Sequence, residues 1–153
     1  MKYYSTSVLL ETSQEAAWAF ITDIHRHAEW ERDVQTVLSV AEGPVGVDTV
    51  FKERMRIIGP FHAEGEWRVT QFKSPAVLEH RGTVPITGMT TVRYMLEPAA
   101  EGCLCTVQVY YEPRAGLPGK LIDTLFVGPR IGRSLRRDLK RMKKLAEARD
   151  VEG

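Results

Sequence analysis

Ile131-Gly132-Arg133-Ser134-Leu135-Arg136-Arg137-Asp138-Leu139-Lys140-Arg141-Met142-Lys143-Lys144-Leu145-Ala146 is the stretch on which the fold turns. Within it Ile131, Leu135, Leu139, Met142 and Ala146 recur at spacings of four, four, three and four, which draws one apolar stripe along an α-helix. Upstream, Leu121, Leu125 and Phe126 carry the apolar character back toward residue 117. Residues 117–148 are therefore the one long helix-like segment of the chain. Pro129 has no amide hydrogen and its ring crowds the preceding turn, so a kink is predicted at Gly128-Pro129. A helix of about 28 residues spans about 42 Å. An eight-residue strand covers only about 26 Å. A sheet that covers such a helix must bend around it.

The rest of the chain supplies the strands. Residues 3–10 are β-prone and open the sheet. Thr12, with Glu15 three residues on, reads as a capping box for a helix over 16–22. Trp18 and Ile21 share its buried face. Residues 23–30 suggest a second short helix. Six strands follow, over 33–42, 49–58, 61–72, 76–82, 90–97 and 103–112, separated by turns such as Gly59-Pro60 and Ser74-Pro75. The alternation in them is clear. Phe51, Glu53, Met55 and Ile57 share a face, as do Phe61, Ala63, Gly65, Trp67 and Val69. Val92, Tyr94 and Leu96 form another set, and Cys103, Cys105, Val107, Val109 and Tyr111 the last. Short turns make the sheet antiparallel, and one apolar face per strand requires a cover. The expected class is α+β: a curved antiparallel sheet of about seven strands around a long kinked C-terminal helix, with two short helices after the first strand.

The totals fit one domain over residues 1–153 with a real core. Apolar residues make up 43% and charged residues 27%. Lys plus Arg, 21, nearly balance Asp plus Glu, 20, so no global field favours DNA. The run Arg130 to Lys144 nevertheless holds eight basic residues against one acid, Asp138. Cys103 and Cys105 are two apart on a strand, a poor geometry for a bond between them. They read as reduced core residues of a cytoplasmic protein. No signal peptide and no membrane-spanning run is expected.

The order and spacing of these elements resemble the helix-grip proteins of the START and Bet v 1 type, specifically the bacterial polyketide cyclase/dehydrase and lipid-transport family. The carriers are Val8-Leu9-Leu10 leading into residues 15–23, then Ala28-Glu29-Trp30 and Val34, then Gly43-Pro44-Val45-Gly46. Residues 67–72, Tyr94-Met95-Leu96-Glu97-Pro98 and residues 139–147 complete the set. The resemblance implies an apolar cavity between sheet and helix that holds a small hydrophobic molecule such as a lipid, polyketide or quinone. Some relatives of this type are cyclases, aromatases or dehydratases, but they share no catalytic motif, so no catalytic residue transfers.

Candidate residues come from the strand faces. Phe51, Met55, Phe61, Trp67, Val92, Tyr94, Val107, Val109, Leu121, Leu125 and Phe126 are the expected cavity walls, or plain core. Trp18 and Trp30 read as structural. Glu53 falls on an apolar face, where an unpaired carboxylate is costly. It meets a ligand, pairs with a cation or a tyrosine hydroxyl, or stands at an exposed strand end. His80 shares a face with Leu78. With Tyr94, Glu53 and His80 form the candidate acid/base set of an enzyme. His25 and His27 are too close together for one helix face, His62 and His80 are isolated, and all four read as solvent-exposed polar residues; neither metal nor cofactor is expected. The basic run is a solvated face or a surface for RNA phosphates or anionic membrane. An interaction module is thus the third reading after carrier and enzyme. Residues 117–127 would gate the cavity if the helix bends at Pro129. The sequence names neither the ligand nor the oligomeric state.

Overall fold

The computed structural model describes residues 1–58, 60–85, 87–112 and 126–152. Strand β1 (Lys2–Leu10) leads into α1 (Gln14–Thr22). One tight helical turn (Ile24–Arg26) passes directly into the short α2 (His27–Trp30). Six strands follow: β2 (Val34–Val40), β3 (Val50–Ile58), β4 (Phe61–Lys73), β5 (Val77–Val84), β6 (Gly88–Ala99) and β7 (Gly102–Tyr111). The C-terminal helix is α3 (Gly128–Glu152). The sheet order is β1-β7-β6-β5-β4-β3-β2, and every neighbouring pair is antiparallel. The hairpin connections keep β2 to β7 in chain order, while β1 closes against β7.

The predicted periodicities hold. On β7, Cys103, Cys105, Val107, Val109 and Tyr111 are all buried. Both cysteines are free thiols, and burial pushes Cys105 up to about 12. On α3 the stripe is deepest at Leu139, Met142 and Ala146, while Ile131 and Leu135 are half-buried. The Cys105 Sγ sits 3.9 Å from the Met142 Sδ, which fixes this helix over β7.

Two readings change. The helix cap is Ser13, whose hydroxyl accepts from the Ala16 amide at 3.1 Å. Thr12 lies one residue too early, and its hydroxyl is buried without a partner. Phe61 is 69% exposed, because it lies at the tip of the β3–β4 hairpin, opposite Ile58. Alternation reports a side chain's face but not how far the cover extends. Among the described residues, α3 is regular from Gly128, with Phe126 and Val127 in wider turns just before it. Residues 117–125, with Leu121, Leu125 and the gate, lie outside the described residues.

Candidate functional site

Among the described residues, the apolar inner face of the sheet carries one buried carboxylate. Glu53 stands on β3 between Phe51 and Met55 and is only 2% exposed. Its cross-strand neighbour is Gly65. His27, the first residue of α2, reaches down to it, with Nδ1 3.0 Å from the Glu53 Oε1. The other ring nitrogen of His27 faces the Ile21 carbonyl at 3.4 Å. Glu31 follows the end of α2, four residues after His27 and so on the same helical side. Its Oε1 lies 3.9 Å from the His27 Nδ1 and accepts from the Tyr94 hydroxyl at 2.8 Å. Two carboxylates therefore share one imidazole and one phenol.

Aromatic rings enclose this cluster. His27 packs edge-on against Trp30 and Phe51, with centroids 5.5 and 5.7 Å away. His80 on β5 is surrounded by Trp67 at 5.0 Å, Phe51 at 5.3 Å, Tyr94 at 5.9 Å and His27 at 6.3 Å. Trp67 lies across Gly82: a Cβ there would stand 2.7 Å from its ring and 2.4 Å from the Glu66 carbonyl oxygen. Glycine at 82 is thus what makes room for the indole. Within this cage the His80 Nδ1 and the Trp30 and Trp67 indole nitrogens are buried with no hydrogen-bond partner.

The electrostatics follow from burial. Desolvation alone would lower His27, but the carboxylates of Glu31 and Glu53 outweigh it and raise the imidazole above its ordinary value. Burial raises Glu31, against the pull of His27. Its side chain keeps 17% of its surface in solvent, which tempers the rise. Burial, helped by the charge of His27, drops His80 to about 3 and keeps it neutral. Burial and then Glu31 push Tyr94 well up.

Of the residues singled out in the sequence, Glu53, His80, Tyr94, Phe51 and Trp67 do meet on one face. Glu53 is hydrogen-bonded to His27. Val107 and Val109 are buried, and Met55 and Val92 are half-buried against the core. Phe126, 66% exposed, is not buried against the sheet, and neither is Phe61. Reading His27 as a solvent-exposed polar residue fails outright: it is 1% exposed, while His25 and His62 are on the surface. His80, also read as a surface group, is 5% exposed. Sequence reasoning missed both His27 and Glu31. Their spacing of four was the one available signal.

The basic run contributes differently along its length. Arg130 pairs with Asp33 at 3.4 Å, Arg141 donates to the Glu29 carbonyl, and Lys143 bonds the Leu9 carbonyl at 3.1 Å. Arg137, Lys140 and Lys144, with Arg32 and Arg56, line a cleft of about 590 Å³ beside Trp30. Asp138 is in the same cleft, held by the Arg32 amide at 3.0 Å, and burial raises its carboxyl to about 7. The charged run is thus partly an anchor of α3 and partly one wall of a concave basic surface. No helix among the described residues is long and apolar enough to cross a membrane.

A curved antiparallel sheet that grips one long helix, with a few polar side chains sunk in an apolar inner face, defines the helix-grip class. Residues 1–147 match the family described as polyketide cyclase/dehydrase and lipid transport, and the chain belongs to that family. No protein of curated function matches the sequence significantly. Among solved structures, TTHA0849 from Thermus thermophilus is similar at 13% identity and a TM-score of 0.80, over 96% of this chain and 98% of that one. The Zhui aromatase/cyclase from a Streptomyces species is similar at 15% identity and 0.77, over 97% and 94%. Ara h 8.0201 is similar at 12% identity and 0.70, over 96% and 98%. At these identities the likeness is one of fold.

Proposed function

We propose that the protein binds a small, largely apolar molecule carrying a hydrogen-bonding group, of the lipid, polyketide or quinone kind, against the inner face of the sheet. The observation that carries this reading is the pair of ring nitrogens, the His80 Nδ1 and the Trp67 Nε1, buried in that face without partners. A buried polar atom left unpaired costs about 1–3 kcal/mol. Ligand pockets use such atoms to orient an otherwise apolar guest. Two free, buried thiols suit a reducing compartment, and the proposed location is the cytoplasm.

A second reading is supported by the hydrogen bond between Tyr94 and Glu31 beside the His27–Glu53 pair. These groups give a bound polyketide acid and base partners within one cage, as a cyclase or dehydratase needs. Native mass spectrometry of the purified chain, followed by organic extraction, tests the first reading. A retained apolar molecule, lost in a His80→Leu/Trp67→Phe variant that still folds, is the expected result. Equal retention by that variant would refute the role of the two rings. Turnover of a polyketide surrogate that disappears in Tyr94→Phe would move the assignment to the enzyme reading.

A further inference from the structure

We infer that His27, Glu31 and Glu53 form a binding site for one divalent first-row transition-metal ion, with zinc as the reference ion. One imidazole nitrogen and one oxygen from each carboxylate lie within 4.8 Å of one another. The His27 Nδ1 is 3.0 Å from Glu53 and 3.9 Å from Glu31. Ligands about 2.1 Å from a tetrahedral ion stand about 3.4 Å apart, between those two distances. Such a nitrogen and oxygen set suits zinc, manganese, iron or cobalt rather than a soft ion.

The hydrogen bonding around the cluster supports this. The second nitrogen of His27, Nε2, faces the Ile21 carbonyl, which only accepts, so that nitrogen carries the hydrogen. In the neutral ring the Nδ1 lone pair then points at a carboxylate oxygen 3.0 Å away. Two lone pairs at that distance need a positive centre between them, either a proton or a metal ion. A proton on His27 compensates only one of the two carboxylates in this cage beside Phe51 and Trp30, so the other must take a second proton or stay charged at a cost. A divalent ion balances both carboxylates and uses the lone pair. The imidazole has the outer support that metal ligands carry, the Ile21 carbonyl behind its Nε2, and the Tyr94 hydroxyl donates to the Glu31 Oε1, the oxygen that faces His27, and so orients it. Three protein ligands leave a coordination position for water or for an oxygen of a bound molecule. His80, with its unpartnered Nδ1, is the next imidazole, 6.3 Å from His27 ring to ring. The site stands independently of the apolar ligand, since its ligands need no guest to meet.

The test uses the full chain, stripped with a chelator and titrated with zinc chloride by calorimetry and with cobalt chloride by visible absorption. The expected result is one equivalent bound, with a cobalt band of low coordination number that zinc displaces. Glu53→Gln and Glu31→Gln should each weaken zinc at least about 100-fold, while a His25→Gln/His62→Gln surface control leaves it unchanged. Glu31 is partly exposed, so its variant keeps the measurement decisive if Glu53→Gln does not fold. No zinc or cobalt binding by the folded wild type would overturn the inference in favour of a proton between His27 and Glu53. Equal binding by the two glutamine variants would overturn it in favour of adventitious surface binding.

Discussion

Two glutamates lie almost equally deep on opposite faces of the same sheet, and they are treated differently. Glu79, 5% exposed, is on the outer face. Its Oε2 takes both the Arg93 Nη2 at 2.6 Å and the Nε at 2.7 Å, and its Oε1 takes the Thr70 hydroxyl at 2.7 Å. Arg93 is steadied in turn by the face of Tyr110, 5.6 Å from the ring centre. That carboxylate has a whole cation to itself and donors on both oxygens. Glu53, on the inner face, shares the single imidazole of His27 with Glu31. A closed set of this kind on the outside needs nothing more than the fold. An under-compensated set on the inside is where a ligand, a proton or an ion belongs.

Removing one partner from each set should expose the difference, most strongly inside. His27→Ala leaves two carboxylates with no cation and should cost about 3–5 kcal/mol in urea unfolding, the range for a broken buried pair. The double change His27→Leu/Glu53→Leu removes the buried pair together, leaves the part-exposed Glu31 its bond from the Tyr94 hydroxyl, and should return stability to within about 1 kcal/mol of wild type, or above it. A loss under about 1 kcal/mol in His27→Ala would mean that water reaches the inner cluster, and the contrast would vanish.

The next effect lies outside. Arg93→Met should cost about 1.5–3 kcal/mol, the worth of hydrogen bonds to a charged group. The loss is smaller than that of His27→Ala because the Arg93 side chain is 32% exposed, so water can replace it. Glu79 also keeps the hydroxyl of Thr70 and the amide of Gln71, the latter at 3.4 Å. Equal losses in Arg93→Met and His27→Ala would show that depth alone, and not the count of partners, sets the cost.

How much of this could be read in advance depended on the range of the signal. The stripe from Ile131 to Ala146 and the alternation from Cys103 to Tyr111 are local periods, and they gave the sheet, its cover and the buried face. Glu53 was visible because a carboxylate interrupts Phe51 and Met55 on one strand face. Its partner was not visible, because His27 is 26 residues away, in a helix of four residues that is too short to show a period. Only the spacing of His27 and Glu31 marked that side of the cluster. Phe61 misled for a related reason: an apolar residue reports a preference, while exposure depends on how far the covering element reaches. The outer pair of Glu79 and Arg93 is set by the register between β5 and β6, which no single strand encodes.

The smallest expected effect is the finest test of the closed set. Thr70→Val keeps the β-branched shape that a strand favours and removes only the hydroxyl donated to the Glu79 Oε1. The expected cost is about 1 kcal/mol by urea unfolding. Its value lies in combination with Arg93→Met. Both donors serve one carboxylate, so their losses should not add, and the coupling between them should exceed about 0.5 kcal/mol. Strict additivity would show that each oxygen of Glu79 is solvated on its own once a donor leaves. The outer carboxylate would then be stable because water can reach it, and the closed network would no longer explain why it differs from Glu53.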